Sequence, residues 1–155
     1  MIDIEEIKLE DINTYWDLHI NYLIDDEIIS DEEDIEYFSG SEYRDAIIFC
    51  MMRDKDKHHL IYFLNDGKRI GCASYCLYED EDYNCFILDF WIFKEYRNKN
   101  LGHLCFKKLE DRVKAKSYEI NSSKENSIRF WSSLGFIENG LDEYGEKLFI
   151  KNSNS

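Results

Sequence analysis

Cys85-Phe-Ile-Leu-Asp-Phe-Trp-Ile-Phe93 runs on almost without polar interruption and leads into Tyr96-Arg-Asn-Lys-Asn-Leu-Gly-His103. An apolar run this short, rich in aromatic and β-branched residues, reads as a strand. Its continuity predicts a central strand covered on both faces. Asp89 is its one charge. Leu101, Leu104, Cys105, Leu109 and Val113 then trace the apolar stripe of a helix. A strand that delivers its chain into a helix start presents unpaired backbone N–H groups at the positive end of the helix dipole. The turn between them can therefore hold phosphate without dedicated side chains. Gly102 lets the backbone come close, and Arg97 and Lys99 add charge. An ordinary strand-to-helix turn with surface bases would carry the same letters, so the turn alone does not decide a function.

Upstream of this stretch, His58-His-Leu-Ile-Tyr-Phe-Leu64 is a β-rich run ending in Asn65-Asp66-Gly67-Lys68, and Asp-Gly is a strong hairpin signal. A second strand follows from Arg69 to about Tyr78. Toward the N-terminus, Ile2, Ile4 and Ile7 suggest a short first strand. Asp11 is placed to cap a helix with apolar positions Ile12, Trp16, His19, Ile20 and Leu23. Ser30 with Glu33 predicts a capping box for a helix through about Phe38, and residues 41–52 continue helically. Downstream, a strand at Ser117–Asn121 and a helix from Glu125 to Leu134, stopped by Gly135, precede two strands near 136–138 and 146–151. The pattern is a mixed α/β sheet. No repeat or Pro/Gly/Ser-rich linker divides it, so residues 1–155 are expected to form one domain with a frayed tail over 151–155.

The 155 residues carry a formal charge of -14 and no proline. Residues 1–50 hold 16 Asp and Glu against 2 Lys and Arg, a net of -14, so residues 51–155 hold 17 of each and sum to zero. All the excess acidity lies in the first third. Such a field repels nucleic acid and anionic lipid and draws in cations, although a solvated acidic face would look the same. No apolar run approaches the roughly 18–20 residues of a membrane helix, and the start lacks the basic and apolar regions of a signal peptide. A soluble cytoplasmic protein is expected. Cys50, Cys72, Cys76, Cys85 and Cys105 are odd in number with no Cys-x-x-Cys spacing, which suits buried reduced thiols. His58 and His59 point to opposite faces of a strand and have no ligand-spaced partner, so no metal site is expected.

With these residues laid out, the turn resembles the acyl-CoA pyrophosphate loop of the GNAT acetyltransferase superfamily, Arg/Gln-x-x-Gly-x-Gly/Ala. Arg97 and Gly102 are in register, and Asn100 stands where the first glycine usually does. Asn126-Ser-Ile-Arg-Phe-Trp-Ser-Ser-Leu-Gly-Phe136 is similar to the family's helix ending in aromatic-x-x-x-Gly-Phe. Two motifs in the right order are far more specific than either alone. The resemblance covers about residues 57–150, while residues 1–50 match only in having a strand and helices.

The resemblance implies a GNAT-like mixed, mostly antiparallel, splayed central sheet flanked by helices. It implies an N-acetyltransferase with acetyl-CoA as co-substrate, no metal and direct transfer to a primary amine. Phe90, Trp91 and Ile92 would lie along the pantetheine, and a backbone N–H near Ile92 would face the thioester oxygen as an oxyanion donor. The amides of Asn98, Lys99, Asn100, Leu101, Gly102 and His103 would carry the pyrophosphate, with charge from Arg97. Asp89 stands where acidic residues often occur in the family and would receive the amine proton. Half-buried, its pKa should be raised, unless it merely accepts a neighbouring hydrogen bond. Where many relatives have an acidic tyrosine this chain has Trp131, which cannot serve as an acid and fits core packing equally well. Tyr144, Tyr118 and Cys85 are conceivable substitutes. Asn121 or Asn126 could hold the pantetheine where Lys124 replaces the usual asparagine, and His103 could donate to phosphate or be a plain surface histidine.

The N-terminal helices would wall the acceptor site, with Asp25, Asp26, Glu27, Asp31, Glu32, Glu33, Asp34 and Glu36 suiting a cationic polyamine, aminoglycoside or peptide amine. The reading leaves room for a homodimer and none for nucleic-acid or membrane partners. Two rivals are a catalytically silent acyl-CoA-binding sensor or docking module, favoured by Trp131 and Asn100, and a domain that binds another nucleotide through the same loop.

Overall fold

The computed structural model describes residues 1–153. Its elements are β1 (Ile2–Glu6), α1 (Ile12–Asp25), α2 (Glu32–Ser39), α3 (Ser41–Met51), β2 (His58–Asn65), β3 (Lys68–Tyr78) and β4 (Asn84–Ile92). They continue with α4 (Leu101–Val113), β5 (Ser117–Asn121), α5 (Glu125–Ser133), β6 (Ile137–Leu141) and β7 (Lys147–Asn152). One sheet holds the strands in the order β1-β2-β3-β4-β5-β7-β6. Its neighbours are antiparallel except for β4 and β5. The expected mixed, mostly antiparallel sheet flanked by helices is the fold observed.

Strand alternation sorts the core into two layers. Ile61, Phe63 and Ala73 face one side with Cys105, Phe106 and Leu109 of α4 and Trp131 of α5. Leu60, Tyr62 and Cys72 face the other with Tyr15 and Trp16 of α1 and Ile47 of α3. Asp66 and Gly67 both have positive φ, 51° and 85°, which is the hairpin conformation that Asp-Gly favours. On α4 the buried stripe runs through Cys105, Phe106 and Leu109, while Leu104 is exposed.

Several local expectations change. Asp11 sits at the α1 N-cap position but closes a 3-10 turn over Leu9–Asp11, and its side chain makes no cap hydrogen bond. The cap of α2 is Asp31, not Ser30, and it accepts from the Asp34 amide at 2.7 Å. Lys151 and Asn152 belong to β7 rather than to a frayed tail, and Ser153 N donates to Lys116 O at 3.0 Å; residues 154–155 lie outside the described residues. Cys50 is half-buried, whereas the other four cysteines are buried and all five are free. Among the described residues, no helix is long and apolar enough to cross a membrane.

The face of the sheet under α1 and α3 holds an unusual polar residue. His58 is buried, with Nδ1 3.4 Å from Cys76 Sγ and Nε2 without a partner. Burial pushes its pKa down to about 4. Unfolded, the ring titrates near 6.5, so between those values the unfolded chain binds more protons and stability rises with pH. From this group alone, stability is expected to fall by about 3 kcal/mol from pH 6.5 to pH 4. Urea midpoints measured against pH should show that slope, and it should flatten in His58→Gln.

Candidate functional site

β4 is where the two layers and the site meet. Its pairing with β5 covers only Asn84–Phe86, after which the two strands part. On the other side Ser74 pairs with Asp89 and Tyr75 with Ile87, so Leu88 has no partner in β3 and forms a β-bulge. One extra residue reverses the alternation. Cys85 and Ile87 face the α4 layer before the bulge, and Phe90 and Ile92 face it after. Asp89 and Trp91 are thereby turned to the α1 side. The expectation of a strand covered on both faces is only partly met, because Leu88 is exposed and Phe86, Asp89, Phe90 and Ile92 are half-buried. The gap left by β5 keeps that stretch open.

The opening is a cleft of about 1120 Å³. Its lining includes Asp89, Phe90, Trp91, Ile92, Arg97, Asn98, Asn100, Leu101, Gly102, His103, Asn126 and Trp131, together with Tyr22, Asp25, Asp26 and Glu27 from the end of α1 and the loop after it. Asp89 to Ile92, Arg97 to His103 apart from Lys99, Asn126 and Trp131, all expected at the site from the sequence, therefore share one cavity. Lys99 does not line it. It borders a separate, smaller depression with Asn65, Asp66 and Lys68, its Nζ 6.0 Å from the Tyr96 ring centroid.

Main-chain geometry along the inner edge follows from the ladder. Phe93 N donates to Ile70 O at 2.8 Å. In an antiparallel pair successive residues alternate the direction of their polar groups, so Ile92 and Phe90 turn theirs to the side β5 has left. The Ile92 carbonyl is already taken, because Arg97 Nε donates to it at 2.7 Å. Trp91 does not lie with its neighbours. Its indole stacks on Tyr22 across the α1 side, at 4.3 Å and 3° between planes.

The loop and helix start show why Asn100 can stand in a glycine position. Asn98 and Asn100 both adopt the left-handed region, φ 63° and 59°, which asparagine tolerates better than other non-glycine residues. Asn100 is the N-cap of α4, and its side chain makes no cap hydrogen bond. The first amides of the helix are thus left without intrahelical partners. At Gly102 a Cβ would meet Phe130 Cε1 at 2.8 Å, so glycine there also lets α4 and α5 approach.

Charged groups are more committed than the sequence suggests. Arg97 forks onto Asp26, Nη1 to Oδ1 at 3.1 Å and Nη2 to Oδ2 at 3.0 Å, which ties the loop to the end of α1. Asp31, Glu32, Glu33, Asp34 and Glu36 do not line the cleft; Asp25, Asp26 and Glu27 do. His103 Nε2 lies 2.8 Å from Ser133 Oγ, and Ser133 gives its proton to Phe130 O, so the ring donates to α5. Asn126 accepts from Arg129, and Asn121 donates to Asp142 at 3.0 Å. Trp131 is buried among Phe90, Phe106, Phe130 and Phe136 and also lines the cleft. Tyr118 and Cys85 are core residues, and Tyr144 is exposed away from the cleft.

Asp89 differs most from expectation. Burial raises its pKa, but the His19 ring, a hydrogen bond from Ser74 and the more distant His58 together bring the carboxyl below its ordinary value. It is an anion at neutral pH, not a strengthened base. His19, Ser74 and Tyr22 are site residues that no motif marks. The available signal is one histidine in an otherwise apolar helix stripe matched by one charge in an apolar strand. Among the described residues, no three His, Cys, Asp or Glu side chains gather as a metal ion would need.

Two sets of substitutions test this geometry. Asn100→Gly is expected to leave stability within about 0.5 kcal/mol, whereas Asn100→Val should cost about 1–2 kcal/mol because a β-branched residue resists positive φ. Asp26→Ala and Arg97→Ala should each cost about 1–2 kcal/mol, and the double variant should cost little more than either single one. Urea unfolding of each variant measures both.

Comparison with known proteins agrees with this arrangement. Three solved structures share the fold over nearly their whole length. PaiA N-acetyltransferase from Thermoplasma acidophilum in complex with coenzyme A is 18% identical, covers 98% of this chain and 99% of that one, and has a TM-score of 0.73. An acetyltransferase from Thermus thermophilus is 10% identical over 98% and 97%, with a TM-score of 0.74. A GNAT family acetyltransferase from Elizabethkingia anophelis with acetyl-CoA bound is 14% identical over 97% of each chain, with a TM-score of 0.63. No curated protein matches the chain in sequence. Residues 21–136, which include the splayed strand, the loop and the helix ending in Gly135-Phe136, match the family model described as Acetyltransferase (GNAT) family, and the chain belongs to that family of acyltransferases.

Proposed function

We propose that the protein moves an acetyl group from acetyl-CoA to a primary amine of a cationic acceptor, by direct transfer with both substrates bound. The observation that carries this reading is a shared cleft. The uncapped start of α4, the free inner edge of β4 and the anion Asp89 all open into it. The residues fit an acyl-CoA. The first amides of α4 suit a diphosphate, and the open edge of β4 can pair with an amide-bearing arm as an added strand would. Bound acetyl-CoA supplies the activated acetyl group.

The remaining chemistry falls to this chain. The Ile92 N–H faces the opening, where a fixed donor to the developing oxyanion is worth roughly 2.7–4 kcal/mol in other enzymes. Asp25 and Glu27 at the mouth and Asp89 deeper in favour an ammonium group. As the C–N bond forms and the C–S bond breaks, the ammonium gives up two protons, one ending on the thiol and one in solvent. Asp89, which lines the cleft, is the carboxylate assigned to accept the first and pass it to water there. Arg97, committed to Asp26 and Ile92, acts here by holding the loop against the α1 side.

The rival is a silent acyl-CoA-binding module, favoured by the burial of Trp131 where an acid often stands. Thermal unfolding with acetyl-CoA, desacetyl CoA and ATP is the first test. Ligand at about 100 times its Kd adds roughly 2.7 kcal/mol, and stabilisation by both CoA species but not ATP is expected. Thiol release in a panel of polyamines, aminoglycosides and lysine peptides should then exceed the amine-free rate. Stabilisation without amine-dependent release would favour the silent module, and no stabilisation would remove the acyl-CoA assignment.

A further inference from the structure

The anion at the bottom of the cleft is held from behind by a residue outside every motif. His19 lies on the inward face of α1, 2% exposed, with Nε2 3.2 Å from Asp89 Oδ2. Ser74 Oγ donates to the same oxygen at 3.1 Å, so Oδ1 is left to the cleft. Aromatic rings pack around the imidazole. It stacks on Tyr15 at 5.5 Å and 13° and on Tyr43 at 5.8 Å and 6°, with Trp91 tilted against it at 5.9 Å. Its Nε2 is buried and makes no aligned hydrogen bond, although it stands at ion-pair distance from a carboxylate. A buried polar atom in that state costs free energy unless the neighbouring charge uses it.

We propose that His19 is a positioning residue that keeps Asp89 an aimed anion, with Oδ1 presented to the cleft as the docking point for the acceptor's ammonium group. This rests on the reading of the cleft as an amine acetyltransferase site. The other groups facing Asp89 are Tyr15 and Tyr22 from α1, Tyr43 from α3, His58 from β2, and Ser74 and Cys72 from β3. Of the two histidines among these groups, His19 is the one in contact with the carboxylate. The lowered carboxyl of Asp89, with the His19 ring as the largest of the effects opposing burial, agrees with that geometry. A ring clamped between two tyrosines fixes the carboxylate without a flexible arm, so the anion is aimed before any substrate arrives.

The test uses His19→Phe, which keeps a stacking ring and drops the nitrogens, and His19→Gln, which keeps an N–H donor. In the unliganded protein, carbon NMR of the Asp89 carboxyl should show it titrating at higher pH in His19→Phe than in the wild type, with His19→Gln in between. With a spermidine-type acceptor, KM in His19→Phe should rise about tenfold at pH 5.5, kcat should change less than KM, and the deficit should shrink as pH rises. The KM for aniline, uncharged at that pH, should stay within about twofold. An unmoved Asp89 titration, or equal KM changes for both amines, would overturn the proposal. If the wild type acetylates no amine, the activity reading fails while the carboxyl titration still decides the link between His19 and Asp89. Should His19→Phe fail to fold, His19→Leu, which also carries no nitrogen, replaces it in the titration, with the same shift expected and an unmoved carboxyl counting against the proposal.

Discussion

One unpaired residue in the middle of β4 sets the geometry on which the site depends. Side chains alternate along a strand with a period of two, so a regular β4 would have placed Asp89 on the same face as Cys85 and Ile87, inside the aromatic layer under α4 and α5. Leu88 interrupts the ladder and shifts the parity. From that point Phe90 and Ile92 take over the α4 face, while Asp89 and Trp91 meet α1. The same stretch is where β5 departs, since pairing ends at Phe86 and Glu119. A carboxylate, a free strand edge and a helix start thus converge because of one register defect and one parting of strands.

The distribution of charge follows from which anions are given partners. The N-terminal third carries the whole formal charge of the protein, yet most of those carboxylates lie away from the cleft. Asp31 is spent on capping α2, and Asp26 neutralises Arg97. Asp25 and Glu27 remain at the mouth, and Asp89 stands alone at depth with His19 and Ser74 behind it. Long-range attraction of a cation is therefore screened and general, while the half-buried anion, less screened, is local and directional. The fork between Arg97 and Asp26 also joins the loop before α4 to the end of α1.

Much of this is legible from residues alone. The apolar run through Phe93, the Asp-Gly turn, and the pairing of the Arg97-to-Gly102 loop with a helix ending in Gly135-Phe136 are enough for the sheet, the family and twelve lining residues. Asn100 stands where the loop motif has its first glycine, and its backbone adopts the left-handed region that asparagine tolerates better than most residues. Other features cannot be read that way. Ser30 and Asp31 are both good caps, and only the chain path into α2 selects the second. Lys99 sits inside the motif, but the loop turns it to a separate depression. An apolar stretch around Asp89 predicts burial and so a raised pKa, whereas the groups that reverse it arrive from other elements.

The set of elements, their periodicity and the two motifs depend on residues close together in the chain, and the order of the letters is enough to specify them. Which side chains stand opposite one another is settled later, by packing. His19 and Asp89 are far apart in sequence, as are Asp26 and Arg97, and each pair forms only when α1 lies across the sheet at the level of the β4 bulge. Electrostatic energy falls off with distance in space and rises with exclusion of water. Neither quantity is written along the chain, so the state of Asp89 is a property of the fold.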